Sequence, residues 1–159
     1  MTAGKPLSLE SDVRRLAGAK PLAALPREAL QLLAFSCEKR KLVAGEALFS
    51  AGDTADGAFV VLEGEITLRR GDAQRHAGPG ALIGEQALLV ETSRSTDARA
   101  LSDCVVLRIS RETFRRVLTE FPDSAANLQK ASVARARDLI GRLEAVRRRG
   151  FAQPPGWRR

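Results

Sequence analysis

Gly84-Glu85 and, ten residues on from the glycine, Arg94-Ser95-Thr96 are the residues whose types and spacing could do chemistry together. A guanidinium grips phosphate oxygens in a fork, and a hydroxyl beside it donates one further bond. Between the two groups, Glu85, Gln86, Ala87, Leu88 and Leu89 have good helical propensity, so a helix of one or two turns is predicted to start at Gly84. The first N–H groups of a helix have no partner within it and favour an anion. Glu85 adds a carboxylate acceptor at the same helix start. Together they describe a pocket for a molecule with a phosphate and a free hydroxyl. Catalysis has no comparable set. The single histidine, His76, has no evident partners for a metal site, and no nucleophile–base motif is visible. The chemistry reads as binding, with no enzyme activity, metal or cofactor expected.

Short elements must position these groups. A helix is predicted over Ser11 to Ala17, then a break at Lys20-Pro21. A second helix starts at Leu25-Pro26 and carries Leu30, Leu33 and Ala34 on one face. From Lys39 the period changes to short strands: 41–43, 47–49, 58–62, 66–68, 75–77, 82–83 and 105–109. Turn signals separate them, among them Gly45, Gly52, Gly64, Gly71 and Gly78-Pro79-Gly80. This pattern predicts a mainly β chain with flanking helices, an antiparallel β jelly-roll barrel. Ser110 reads as the cap of a helix with Phe114, Val117 and Leu118 on one face. Phe121-Pro122-Asp123 closes it and opens a long helix from about Ser124 to Arg148, with Val133, Ala136, Ile140 and Leu143 in a stripe. The expected division is a lead-in over 1–21, the barrel over 22–122, the C-terminal helix over 123–149 and a basic tail over 150–159.

The stretch from Gly78 to Ala100 resembles the phosphate-binding cassette of the cyclic-nucleotide-binding domain family. Gly84-Glu85 and Arg94-Ser95-Thr96 match that cassette in order and spacing, and Gly45-Glu46, Gly52-Asp53 and Phe59 to Gly64 precede it in the family's order. The resemblance covers about residues 22–122. It extends to catabolite activator protein-like, kinase regulatory subunit-like and channel-type sensors, without their DNA-binding or channel segments. It implies that Arg94 pairs a cyclic phosphate, that Ser95, Thr96 and the backbone of Gly84, Gln86 and Ala87 bind the remaining oxygens, and that Glu85 accepts from the ribose 2′-hydroxyl. Leu82 and Ile83, with Val61, would form the apolar wall, and Gln129 and Lys130 the cap over the base. Family members selective for cyclic GMP often carry threonine at the position of Ser95 and many selective for cyclic AMP carry alanine or serine; a hydroxyl is compatible with both, and the expected ligand leans to cyclic AMP over cyclic GMP. Asp97 departs from the pattern; at strand period it should point away from the side bearing Thr96 and Ala98.

Composition bounds the rest. The chain has 159 residues, 44% hydrophobic, enough for a core. No apolar run approaches a transmembrane helix and no secretory signal opens the chain, so a cytoplasmic place is expected. Cys37 and Cys104 read as buried free thiols. Residues 1–129 balance 17 basic against 17 acidic residues, whereas 130–159 hold nine basic and two acidic, the whole of the +7 excess. The leading expectation is therefore a cyclic-nucleotide sensor, a stand-alone unit or regulatory subunit, that relays binding through its C-terminal helix to a protein partner, with a homodimer through that helix as another use of its stripe. Two alternatives stay open. One is a nucleic-acid or polyanion module using the basic C-terminal end; the other is a scaffold of the same fold without ligand.

Overall fold

The computed structural model describes residues 8–20 and 22–123. The long helix expected from Ser124, with Gln129 and Lys130, and the basic tail lie outside the described residues. Helix α1 (Leu9–Gly18) starts earlier than its periodicity suggested because Ser8 caps it, its side-chain oxygen accepting from the Ser11 N–H at 3.2 Å. A 3₁₀ turn at Leu22–Ala24, which propensity did not suggest, leads to α2 (Arg27–Ser36). Pro26 stands at the cap of α2, one position before the first turn, in extended conformation.

Ten short strands follow in chain order: β1 (Glu38–Leu42), β2 (Ala47–Phe49), β3 (Thr54–Ala55), β4 (Gly57–Glu63), β5 (Ile66–Arg70), β6 (Ala73–Ala77), β7 (Leu82–Ile83), β8 (Thr92–Ser93), β9 (Asp97–Ala100) and β10 (Cys104–Ser110). They form two four-stranded antiparallel sheets, β1-β10-β4-β7 and β2-β9-β5-β6, with a small β3-β8 pair. This is the jelly-roll arrangement. Helix α3 (Arg111–Glu120) follows directly, capped by Ser110, whose Oγ accepts from the Thr113 N–H at 3.1 Å.

Strand β4 explains how the layers join. Ala58, Val60 and Leu62 face the helices and pack with Leu16, Leu33, Phe114 and Val117. Phe59 and Val61 face the other way, into a second core with Leu48, Ile66, Leu68, Ala98 and Val106. A strand buried on both faces loses the apolar–polar alternation, which is why 57–63 reads as one apolar run. Cys104 is buried and Cys37 half-buried, both unpaired, and burial pushes the Cys37 thiol up to about 12. Among the described residues, no helix is long and apolar enough to cross a membrane.

Candidate functional site

Strand β7 runs antiparallel beside β4, with Ile83 opposite Phe59, and ends at Gly84. Gly84 turns the chain at φ +76°, in the left-handed region that favours glycine. The predicted helix is a single 3₁₀ turn, Glu85–Leu88. The Ala87 N–H donates to the Gly84 carbonyl at 3.1 Å, so the turn itself uses this amide, and the Glu85 and Gln86 amides stand at its head. The chain then returns along β8, paired with β3, and reaches Arg94. The Arg94 backbone is held from both sides: its N–H donates to the Asp53 carbonyl and its carbonyl accepts from the Gly52 N–H, each at 2.8 Å.

Those bonds place the Arg94 side chain inside the molecule, 8% exposed. Its Cζ lies 4.5 Å from the centroid of Phe49 and 5.5 Å from that of Phe59, two rings stacked 6.1 Å apart. Both aromatic faces attract the cation. Among the described residues, its Nη1 is buried without a hydrogen-bond partner. Burial lowers the pKa of this guanidinium, while the charges of Asp56 and Asp53 act in the opposite sense. A Cβ at Gly84 would collide with Arg94 Nη1, so the glycine also makes room for the arginine.

All nine residues read from the sequence, Leu82, Ile83, Gly84, Glu85, Gln86, Ala87, Arg94, Ser95 and Thr96, line one cleft of about 230 Å³. Sequence reasoning missed Phe49, Leu68 and Arg75, which line the same cleft. They arrive from β2, β5 and β6 through sheet register, and no local motif marks them. Val61, expected in the wall, is wholly buried in the second core and is not among the cleft residues. Asp97 points away as its strand period required: it is exposed, and its Oδ1 accepts from the Ala51 N–H at 2.7 Å. The cleft is tied to α3 by Arg111, whose Nε donates to the Ala87 carbonyl at 2.8 Å and whose Nη2 donates to the Ala55 carbonyl at 2.6 Å.

The arrangement suits a small anion with a hydroxyl and an apolar body. A cation already withdrawn from water, with one N–H group unspent, gains a full charge-assisted bond when an oxyanion arrives. Apolar walls at Phe49, Leu68, Leu82 and Ile83 would take the rest of the ligand. Among the described residues, no group of three or more His, Cys, Asp or Glu could hold a metal ion.

Comparison with known proteins agrees. Residues 39–121 match the family described as the cyclic nucleotide-binding domain. The chain is 32% identical over 159 residues to the HTH-type transcriptional regulator Cmr of Mycobacterium tuberculosis, an alignment over 90% of this chain and 64% of that regulator's length. A cyclic nucleotide-binding-like protein from Brucella abortus is 42% identical, with a TM-score of 0.62 over 68% of this chain and 97% of its own. The N-terminal domain of a transcriptional regulator from Streptomyces coelicolor is 29% identical, with a TM-score of 0.72 over 82% of this chain and 93% of its own.

Proposed function

The chain belongs to the cyclic nucleotide-binding domain family, and from that premise we propose that it is a receptor for a purine cyclic nucleotide held in the cleft around Arg94. The observation that carries this reading is the buried, unpartnered Arg94 Nη1. A buried guanidinium with an N–H group unsatisfied is costly, and a phosphate oxygen at that point removes the cost. Arg94 pairs the phosphate's single negative charge, with the Ser95 and Thr96 hydroxyls and the Gln86 amide on its other oxygens. Glu85 accepts from the ribose 2′-hydroxyl, the one free hydroxyl when the phosphate bridges O3′ and O5′. Phe49, Leu68, Leu82 and Ile83 enclose the apolar faces. The lean to cyclic AMP over cyclic GMP rests on the family resemblance, since many members selective for cyclic AMP carry alanine or serine at the position of Ser95.

Relay to a partner would begin at Arg111. A ligand that contacts the 3₁₀ turn biases whichever position of Ala87 suits it, and Arg111, the first residue of α3, is bonded to the Ala87 carbonyl. Differential contact of this kind is what a population shift requires. Calorimetric titration of the chain with cyclic AMP and with cyclic GMP tests the receptor reading. One-to-one binding of at least one of them is expected, and the absence of binding by both would overturn it.

A further inference from the structure

A groove of about 600 Å³ lies beside α3, and none of the described residues lining it has an apolar side chain. Glu112, Arg115, Arg116 and Thr119 line it from α3. Their spacing puts them on one face of that helix, opposite the buried Phe114 and Val117. The described lining holds four arginines against two carboxylates, an excess of two positive charges. Arg108 pairs with Asp56 inside the groove, and Arg111 is turned to backbone carbonyls. The side chains of Arg115 and Arg116 have no ion-pair or hydrogen-bond partner among the described residues. Glu112, three and four positions before them, pairs with neither.

We infer that this groove docks an acidic segment of a partner protein through Arg115 and Arg116, a function separate from the nucleotide cleft. A small molecule with an apolar body finds no wall to lie against. A nucleic-acid strand finds no aromatic ring to stack on, and its phosphates would meet the carboxylates of Asp56 and Glu112. A polypeptide suits both signs of charge. Its aspartate and glutamate side chains meet the two guanidinium forks, and a backbone N–H or a lysine meets Glu112. The ends of this chain outside the described residues carry the wrong charge for the groove. Residues 130–159 hold nine basic and two acidic residues, and 1–7 hold Lys5 and no acid. Arg111 lines the groove and also bonds the Ala87 carbonyl, so a docked segment would lie against the start of the proposed relay.

Fluorescence anisotropy of a labelled peptide of alternating aspartate and glutamate, titrated with the full chain, tests this. Wild type should bind the peptide, and a double variant, Arg115→Glu with Arg116→Glu, should bind it about tenfold or more weakly. Both residues are exposed, so that variant should unfold at the wild-type temperature. Arg115→Gln with Arg116→Gln removes the charge without reversing it and should lose less. A peptide of asparagine and glutamine of the same length should not bind. Failure of wild type to bind the acidic peptide would overturn the inference. So would equal binding by wild type and the charge-reversed variant, which would move the peptide to the basic end over 130–159. A single-stranded oligonucleotide of equal charge that displaces the peptide and binds more tightly would make the groove a nucleic-acid surface. Self-association of wild type in place of peptide binding, lost in the charge-reversed variant, would make the occupant a second copy. Either result would overturn the acidic-partner assignment. Titration with cyclic nucleotide is a separate measurement, so the receptor reading stands in each of these cases.

Discussion

A groove of about 600 Å³ beside α3 and the cleft of about 230 Å³ around Arg94 are both lined by arginine. The larger holds Arg108, Arg111, Arg115 and Arg116. Its inner cations are provided for by the protein. Arg108 pairs with Asp56 at 2.6 Å, and Arg111 is spent on two backbone carbonyls. Arg115 and Arg116 stand exposed, where water solvates a charge at little cost. The smaller hollow holds a guanidinium that is both buried and short of a partner. Size favours the first, and unmet electrostatic demand favours the second. A ligand changes free energy most where a charge has already been desolvated, which is why the proposed site is the small cleft.

The sharpest way to break this comparison is Arg94→Ala. Losing a charge-assisted fork should weaken cyclic-nucleotide binding by about 2 to 5 kcal/mol, whereas the free chain should keep its stability, because the residue removed is a buried charge without its full set of bonds. Titration and thermal unfolding of the variant check the two halves. Gly84→Ala should cost about tenfold in affinity, since it combines a strained positive φ worth on the order of 1 kcal/mol with displacement of Arg94. Paired titrations with Arg94→Ala should show the two changes to be less than additive.

Glu85→Ala sharpens the reading of the sugar end. It should weaken a cyclic nucleotide by about 1 kcal/mol and its 2′-deoxy analogue by much less, because a hydrogen bond is already absent from the second complex. Simple additivity in that cycle would take Glu85 off the ribose. The smallest effect is expected in the groove: Arg115→Ala and Arg116→Ala should leave nucleotide affinity within about twofold, as exposed charges at a distance are screened by salt. A tenfold loss there would mean that the larger hollow shares in the binding.

The cleft residues from Gly84 to Thr96 were legible because they are local. Gly84 to Ala87 and Arg94 to Thr96 lie within thirteen consecutive positions, and the turn between them needs glycine for a reason that sequence displays. Phe49 and Arg75 were not legible, since their places follow from the Phe49–Ala98 and Leu68–Arg75 registers, which depend on how distant strands pair. A trace of Arg75 does exist in Ala73-Gln74-Arg75-His76-Ala77, where the period-two face is alanine, arginine, alanine. Strands β3 and β8 have two residues each, too few for alternation to mark them. Val61 was misplaced because β4 is apolar on both faces, so its composition does not say which residues reach a cleft. The helix at Gly84 came out shorter than its propensities allowed; such a short segment gains little from propensity, and packing of Ala87 and Leu88 sets its length.

The central claim is that Arg94 holds an unspent, buried N–H group in the free chain and gives it to the ligand's phosphate. Nitrogen-15 NMR of the arginine side chains observes that group directly, with Arg94→Lys used to assign its signals. Adding cyclic nucleotide should shift the Arg94 Nη resonances to the frequencies of a hydrogen-bonded guanidinium and slow rotation about its Cζ–Nη bond, while the Arg108 and Arg111 signals move little. Arg94 signals that stayed unchanged at saturating ligand would contradict the claim.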